Sequence, residues 1–365
     1  MSMLQVPGSY ENEAGIVKKA GSYIKEFADN VLVVGGNTAL QVVEKELTAS
    51  LEAEGIRYEI IADSGYPVQQ KAKELAEKIK SNGFQAIVGT GGGKIMDLVK
   101  AAGFYADIPV VTIPTIAATC AAWSGLSVLY TQAGEQDSYL YIKEFPRLVL
   151  ADKEILRKAP VRYLNAGVAD TIVKWYELYP DLRRHPGNFP LRLQLKVCEL
   201  ALEYLKTDYV QAWQKGILFE SGQEEIVENA IDSILMLAGL AGSIKGSIPY
   251  GGLAHPFYNA STFVKETHSM LHGEKVIFGL LVQLTLEHRN DEEIADFTGW
   301  MRELQLPVSL EEIGLHGQDK EKVIEIAERM IRAVGHYDGL DFELTAEDIA
   351  GAILTVDARS RKRGA

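Results

Sequence analysis

Ala86-Ile87-Val88-Gly89-Thr90-Gly91-Gly92-Gly93-Lys94-Ile95-Met96-Asp97 runs from an apolar, β-branched segment through a glycine turn into a helix-forming one. A turn of this kind lets backbone N–H groups approach a phosphate closely, and the helix N-terminus adds the positive end of its dipole. The stretch predicts a pyrophosphate cradle, with Gly91, Gly92, Gly93, Lys94, Ile95, Met96 and Asp97 as candidate contacts. It is not the common dinucleotide fingerprint, because G-x-G-x-x-G beginning at Gly89 would need glycine where Lys94 stands. Nor is it a triphosphate P-loop, since Val88 holds the place of the leading glycine and Ile95 that of the metal-binding hydroxyl. The competing reading is that the glycines only allow tight helix–strand packing. Asp97 would repel phosphate but could accept a bond from a ribose or an amide; its alternative role is a favourable charge near a helix N-terminus.

Working outward, β-branched runs alternate with amphipathic stretches from residue 30 to about 150. Strands are predicted at 31–34, 58–62, 84–88, 109–113 and 148–151, with helices at 39–54, 68–81 and 94–105 between the first four. That rhythm predicts βαβ units and a parallel sheet. Residues 127–131 and 139–143 read as a hairpin. Beyond Asp152 the strand signals stop and helical periodicity takes over, at 191–204, 224–240, 275–287, 291–304, 320–333 and 346–357. The expected architecture is an α/β nucleotide-binding domain, residues 1–155, followed by an all-α domain, residues 156–365. The basic end beginning at Arg359 reads as a solvated tail.

The 365 residues carry a formal net charge of -13, with 47% hydrophobic and 24% charged residues, the balance of an ordinary globular protein. Such a field repels nucleic acid and anionic membrane surfaces. Cys120 and Cys198, the two cysteines, lack any paired spacing, which argues against a disulfide framework or a cysteine zinc site. No basic and apolar leader opens the chain, and no uncharged apolar run reaches membrane-spanning length. A cytoplasmic protein acting on a small molecule, with no membrane partner, is the expectation.

Asp170, His255 and His272 lie far apart in sequence, yet each sits in an apolar, helix-forming context. Two imidazoles and a carboxylate leave a coordination position open on a divalent ion, as a catalytic metal requires. His268 and His272 are four apart and would share a helix face, but Ser269 stands where the H-E-x-x-H motif needs glutamate, which excludes that protease class. The segment from Pro114 to Ser124 is rich in small and hydroxyl residues suited to a flat ring and a ribose.

Gly-Gly-Gly-Lys-x-x-Asp at 91–97, Pro-Thr-Ile-Ala at 114–117, Ala-Gly-x-x-Asp at 166–170 and His-Gly-Glu-Lys-Val at 272–276, in that order, resemble the iron-containing alcohol dehydrogenase superfamily in its glycerol dehydrogenase branch. The resemblance runs from residue 6 to beyond 345. It implies NAD or NADP, and one divalent metal held by Asp170, His255 and His272, with zinc ahead of iron or manganese. It implies that Gly36 and the turn at 93–97 meet the dinucleotide. Thr115, Ile116, Ala117 and Ala118 would line it, and Ser124, Leu126 and Tyr130 would lie along its nicotinamide half. Homo-oligomeric assembly is likewise implied.

The sequence departs from that branch at three places. Glycerol dehydrogenases carry Asp-Ala-Pro where this chain has Cys120-Ala121-Ala122-Trp123, and the stretch is instead similar to hydroxycarboxylate dehydrogenase A. That similarity, with the loss of a carboxylate an anionic substrate would encounter, predicts reduction of small 2-oxo acids to 2-hydroxy acids. Hydride would pass from the nicotinamide to a metal-polarised carbonyl, and Cys120 would mark the substrate class. Oxidation of glycerol or another polyol with NAD is the alternative. Asn37 follows Gly36 where strict NAD users place an acid, so NADP is expected to be tolerated. Tyr258 stands where a second histidine is common, leaving His268 as a substitute ligand or a proton carrier. A sugar-phosphate cyclase would need clustered Lys and Arg, in which these neighbourhoods are poor; a non-enzymatic nucleotide-binding protein would bind cofactor without metal. Lys174 and Lys245 are candidates to fix a substrate carboxylate.

Overall fold

The computed structural model describes residues 3–245, 251–316, 319–334, 340 and 342–362. The chain forms two compact units, Met1–Leu164 with Ile234–Ser243, and Asn165–Ser233 with Ile244–Ala365. Residues 156–164 and 234–243 therefore belong with the sheet-containing unit.

In that first unit the strands are β1 (Tyr10–Glu11), β2 (Asn30–Gly35), β3 (Arg57–Ala62), β4 (Ala86–Gly91), β5 (Val110–Pro114), β6 (Leu126–Tyr130), β7 (Gln136–Tyr141) and β8 (Leu148–Leu150). Six of them make one sheet in the order β1-β8-β5-β4-β2-β3, and every neighbouring pair is parallel. Side chains alternate across it as the strand period demands. Val31, Val33, Ala86, Val88, Val111 and Ile113 pack with the helices Ala20–Lys25 and Asn37–Ala53. Leu32, Val34, Ile87, Val110 and Val149 pack with Gln69–Asn82 and Gly93–Ala106. Burial on both faces explains why these strands read as continuous apolar runs. β6 and β7 form the expected antiparallel hairpin, with a register shift between Leu129 and Tyr130.

The chain leaves β2 for β3 on one side and then returns to place β4 on the other side of β2. Strand order therefore reverses between β2 and β4, the position where open α/β sheets bind ligands at the carboxyl ends of their strands. Those ends carry Gly36 and the Gly91–Gly93 turn, and Gly36 N–H donates to the Thr90 carbonyl at 3.2 Å. Sheet topology thus gives the glycine turn its position.

The second unit is helical. Its helices include Val161–Arg184 (from Asn165 onward), Phe189–Tyr204, Glu224–Asp232, Ala254–Ser261, His272–Leu286, Asp291–Glu303, Lys320–Val334 and Ala346–Lys362. His272–Leu286 is buried almost all round, the mark of a core helix. One expectation needs amendment. Arg359 bonds Asp291 at 2.7 Å and Thr285 at 3.2 Å, so the basic end up to Lys362 is the last part of a docked helix and not a free tail; Arg363 lies outside the described residues. Among the described residues one helical run, Glu224–Ser243, is long and apolar enough to cross a membrane by length and composition, but 56% of its apolar window is buried inside the protein. With Glu228 and Asp232 within it, the run reads as a core helix.

Candidate functional site

In the helical unit, three elements far apart in sequence bring Asp170, His255 and His272 together. Asp170 lies within Val161–Arg184, His255 opens Ala254–Ser261 and His272 opens His272–Leu286. Two glycines allow these helices to approach so closely. A Cβ at Gly273 would lie 1.8 Å from the Ala166 carbonyl oxygen, and one at Gly279 would lie 2.7 Å from both the Ala254 carbonyl oxygen and Phe257 Cβ. Neither position could take a side chain without the backbones moving apart, so the spacing of the ligand-bearing helices is written into Gly273 and Gly279.

Asp170 is 2% exposed. Its Oδ1 lies 3.3 Å from Nε2 of both His255 and His272 and 2.9 Å from Lys174 Nζ. One donor atom from each of the three predicted ligands falls within 4.8 Å of the others. No second cluster of three such residues occurs among the described residues. Burial alone would raise the Asp170 carboxyl, but the Lys174 charge and the two imidazoles outweigh it and hold it well below the usual carboxylate range. For His255, burial works against the charged ring, but Glu177 and Asp170 prevail and push it up to about 9. His272 moves the other way, lowered chiefly by burial. The His272 ring packs edge-on against Tyr258, with centroids 4.1 Å apart.

This donor set fits a divalent ion. Asp170 Oδ1 is fully buried and, despite three nitrogens nearby, makes no hydrogen bond of acceptable angle. That oxygen already faces the Lys174 ammonium, and a metal ion shared with two imidazoles would engage it together with both rings. Two histidines and one carboxylate are a donor set used by catalytic zinc. His268 lies outside the cluster; its Nε2 contacts the Thr262 carbonyl at 2.7 Å.

In the sheet unit, the candidate dinucleotide residues converge on the turn after β4. Thr115 N–H donates to the Gly91 carbonyl at 3.0 Å. A Cβ at Gly92 would meet Ile116 Cδ1 at 2.7 Å, and one at Gly93 would meet Thr119 Oγ1 at 3.3 Å. The close approach of residues 115–119 meets the packing reading of the glycines, most sharply at Gly92. Ile95, Met96 and Ala117 are buried, whereas Gly92 and Gly93 are half-buried. Gly92 supplies no side-chain cap to the helix Gly93–Ala106, leaving its positive end for an anion. Lys94 Nζ stands 3.8 Å over the Tyr66 ring, which packs 5.5 Å from the Tyr130 ring; burial lowers the Lys94 ammonium.

Asp97, Ser124 and Leu126 meet at a residue that sequence reading passed over. Lys100, 1% exposed, pairs with Asp97 at 3.1 Å and donates to Ser124 Oγ at 2.8 Å, to the Ser124 carbonyl at 3.1 Å and to the Leu126 carbonyl. The Asp97 carboxyl rises to about 6 because its burial outweighs the pull of Lys100. Its partner is thus an internal ammonium, placed three residues on along the same helix face. Trp123 is also internal: its Nε1 donates to Ser243 Oγ at 3.0 Å and its ring meets Tyr10 edge-on at 5.5 Å. The other residue missed in advance is Glu177, which grips His255 from behind. Asp170, Lys174 and Glu177 stand at i, i+4 and i+7, one helix face, and that spacing was the available signal.

Comparison with known proteins places the chain in a family. The profile of the family described as iron-containing alcohol dehydrogenase matches residues 7–153. A glycerol dehydrogenase of Pseudomonas putida is 32% identical over 358 residues, covering 97% of this chain and 96% of that one. The crystal structure of a probable glycerol dehydrogenase from Sinorhizobium meliloti 1021 superposes with a TM-score of 0.86 at 26% identity, covering 99% of this chain and all (100%) of that one. Hydroxycarboxylate dehydrogenase A of Escherichia coli K12 is 28% identical over 328 residues, 88% of each chain. The chain belongs to the iron-containing alcohol dehydrogenase family, in its glycerol dehydrogenase-like branch, and is a metal-dependent oxidoreductase acting on CH–OH groups. Membership implies a nicotinamide dinucleotide and a divalent metal.

Proposed function

We propose that the chain interconverts a small polyol and its carbonyl product, with glycerol as the first substrate to test and Asp170, His255 and His272 holding one zinc ion. The observation that carries this reading is the three-donor centre with an unbonded Asp170 oxygen, in a chain aligned end to end with a glycerol dehydrogenase. When bound, the metal would supply Lewis-acid polarisation of the reacting C–O group and the dinucleotide would carry the hydride. The protein's part is positional. Asp170, held ionised, supplies a charged donor; the imidazoles would bind as neutral donors, His255 giving up its second proton as the metal enters; the glycine turn and the helix N-terminus at Gly93 receive the pyrophosphate.

A second reading, reduction of 2-oxo acids, has a specific observation behind it. Lys174 places a largely buried ammonium, 13% exposed, 2.9 Å from Asp170 Oδ1; by the sequence resemblance, Cys120 also stands in place of an aspartate of the glycerol dehydrogenases. A cation at that depth favours an anionic substrate. Cytoplasmic operation and homo-oligomeric assembly belong to the same reading.

The test follows NADH and NADPH absorbance with glycerol in the oxidative direction and with 2-oxobutyrate and 2-oxoglutarate in the reductive one. Each assay is repeated after chelation and after zinc is restored. Chelator-sensitive glycerol oxidation exceeding oxo-acid reduction in kcat/KM supports the polyol reading. The reverse order replaces it with the oxo-acid reading, and turnover indifferent to chelation overturns both.

A further inference from the structure

We infer that Glu177 is a positioning residue for the metal centre, fixing the tautomer and orientation of His255 so that its Nε2 serves as a donor. This rests on the reading of Asp170, His255 and His272 as metal ligands and adds a residue that the ligand set does not contain.

Both Glu177 oxygens are engaged by the same residue. Oε1 accepts the His255 backbone N–H at 3.0 Å, and Oε2 lies 2.5 Å from His255 Nδ1. Glu177 is 0% exposed, and a buried carboxylate is retained only where its charge is met. With Nδ1–H donating to Glu177, Nε2 is the nitrogen left facing Asp170 Oδ1, 3.3 Å away, and it would bind a metal once its own proton leaves. The ring can neither flip nor change tautomer without leaving a buried charge unpaired. A carboxylate behind an imidazole also raises the basicity of the opposite nitrogen.

The surroundings are shaped to allow this contact. A Cβ at Gly252 would lie 2.0 to 2.3 Å from Glu177 Cγ, Cβ and Cδ, so glycine there admits the glutamate beneath the turn that leads to His255. Gln283, buried in the core helix His272–Leu286, fixes the two backbones on either side: its Oε1 accepts the Leu253 N–H at 2.9 Å and its Nε2 donates to the Tyr176 carbonyl at 3.2 Å. Residues 176 and 253 directly precede Glu177 and Ala254. Asp170 and Glu177, two helical turns apart on one face, thus act in series. The first is a ligand, and the second holds another ligand in place.

The experiment measures zinc affinity by chelator competition on the full chain for wild type, His272→Ala, Glu177→Gln and Glu177→Asp. NADH affinity and the Tm of the metal-free protein are measured alongside, with the absorption spectrum of each cobalt-loaded form. The expected result is zinc binding that His272→Ala abolishes and Glu177→Gln weakens by about 10- to 100-fold, the usual effect of losing a ligand's supporting partner. NADH affinity should stay within two-fold, and the cobalt spectrum should shift. Glu177→Asp, with the charge kept but the reach shortened, should fall between; it also serves as the readout if Glu177→Gln does not fold. Zinc affinity within two-fold of wild type in the folded variant, with His272→Ala still defective, overturns the inference and leaves the ligand set intact. A lowered Tm with unchanged zinc affinity and cobalt spectrum overturns it likewise, since Glu177 would then be structural only. Zinc binding indifferent to His272→Ala removes the metal reading itself, and the inference with it.

Discussion

Each compact unit contains a buried aspartate paired with a lysine on its own helix, and the two pairs end differently. In the sheet unit, Asp97 and Lys100 are 3.1 Å apart, and Lys100 is closed off by the Ser124 hydroxyl and the carbonyls of Ser124 and Leu126. In the helical unit, Asp170 and Lys174 are 2.9 Å apart, but two imidazoles converge on Asp170 Oδ1 without bonding it. The first pair is a strut that ties a helix to the start of β6, because every lysine proton has an acceptor. The second leaves its carboxylate facing two further donors, which is what a cation site requires. Identical residue types therefore differ in role through how completely their hydrogen-bonding capacity is closed.

The sharpest way to break the comparison is to neutralise each carboxylate pair in turn. Asp170→Asn should abolish stoichiometric metal binding and lower kcat/KM by about 10³-fold or more, since losing a Lewis acid forfeits several kcal/mol of transition-state stabilisation. NADH affinity, which depends on the other unit, should stay within about two-fold. Metal analysis with steady-state kinetics and NADH fluorescence reads all three, and full metal content with near-normal turnover would remove Asp170 from the ligand set.

Lys100→Met should act on stability instead, costing about 3–5 kcal/mol in urea denaturation at pH 8 because it strands the buried Asp97 charge. The pH dependence has a definite sign. Asp97 titrates near 6 in the folded state against 3.8 as its ordinary value, so between those values the folded protein keeps a proton that the unfolded chain has lost. Stability contributed by this group is present at low pH and declines as pH rises through that window. Without Lys100 the carboxyl moves higher still, and at pH 5 it is neutral and no longer stranded. The destabilisation should therefore be smaller at pH 5 than at pH 8. Equal losses at both would mean that Lys100 matters for packing and not for charge.

The closed pair and the open one were not equally legible in the sequence. The glycine turn and the strands around it could be read because their signals are contiguous: β-branched runs, a glycine break and a helix start. The three metal-centre residues could be singled out because each histidine stands near glycine at a helix start, and four motifs agreed in order. The surroundings of either pair could not be read, since Lys100 finds Ser124 and Leu126, and Glu177 finds His255, only through tertiary approach. The helix Val161–Arg184 lacked a clear signal because Gly167 and Pro180 fall inside it, and β1, at two residues, is too short for any period. The burial of Trp123, inside a segment read as rich in small and hydroxyl residues, could not be seen either, because its indole N–H is satisfied only by the distant Ser243.

Cys120 offers the smallest perturbation and the one that connects the closed pair to substrate class. Its carbonyl accepts the Trp123 and Ser124 N–H groups at 3.0 and 3.2 Å, and its partly exposed side chain is close enough to Lys100 for a thiolate there to favour the charged lysine. Cys120→Asp would add a carboxylate beside a pair whose charges already balance, so the added charge would act outward. An added charge in a partly buried position acts at an effective dielectric near 20, and solvent screening weakens it further. The expected result is a rise of about ten-fold in the ratio of kcat/KM for glycerol to that for 2-oxobutyrate, read from paired initial-rate assays. A rise made entirely of lost oxo-acid reduction would mean that Cys120 admits anions, whereas one made of improved glycerol oxidation would mean that the carboxylate itself engages hydroxyls. An unchanged ratio would detach substrate class from this residue and leave Lys174, on the open pair, as the cation that decides it.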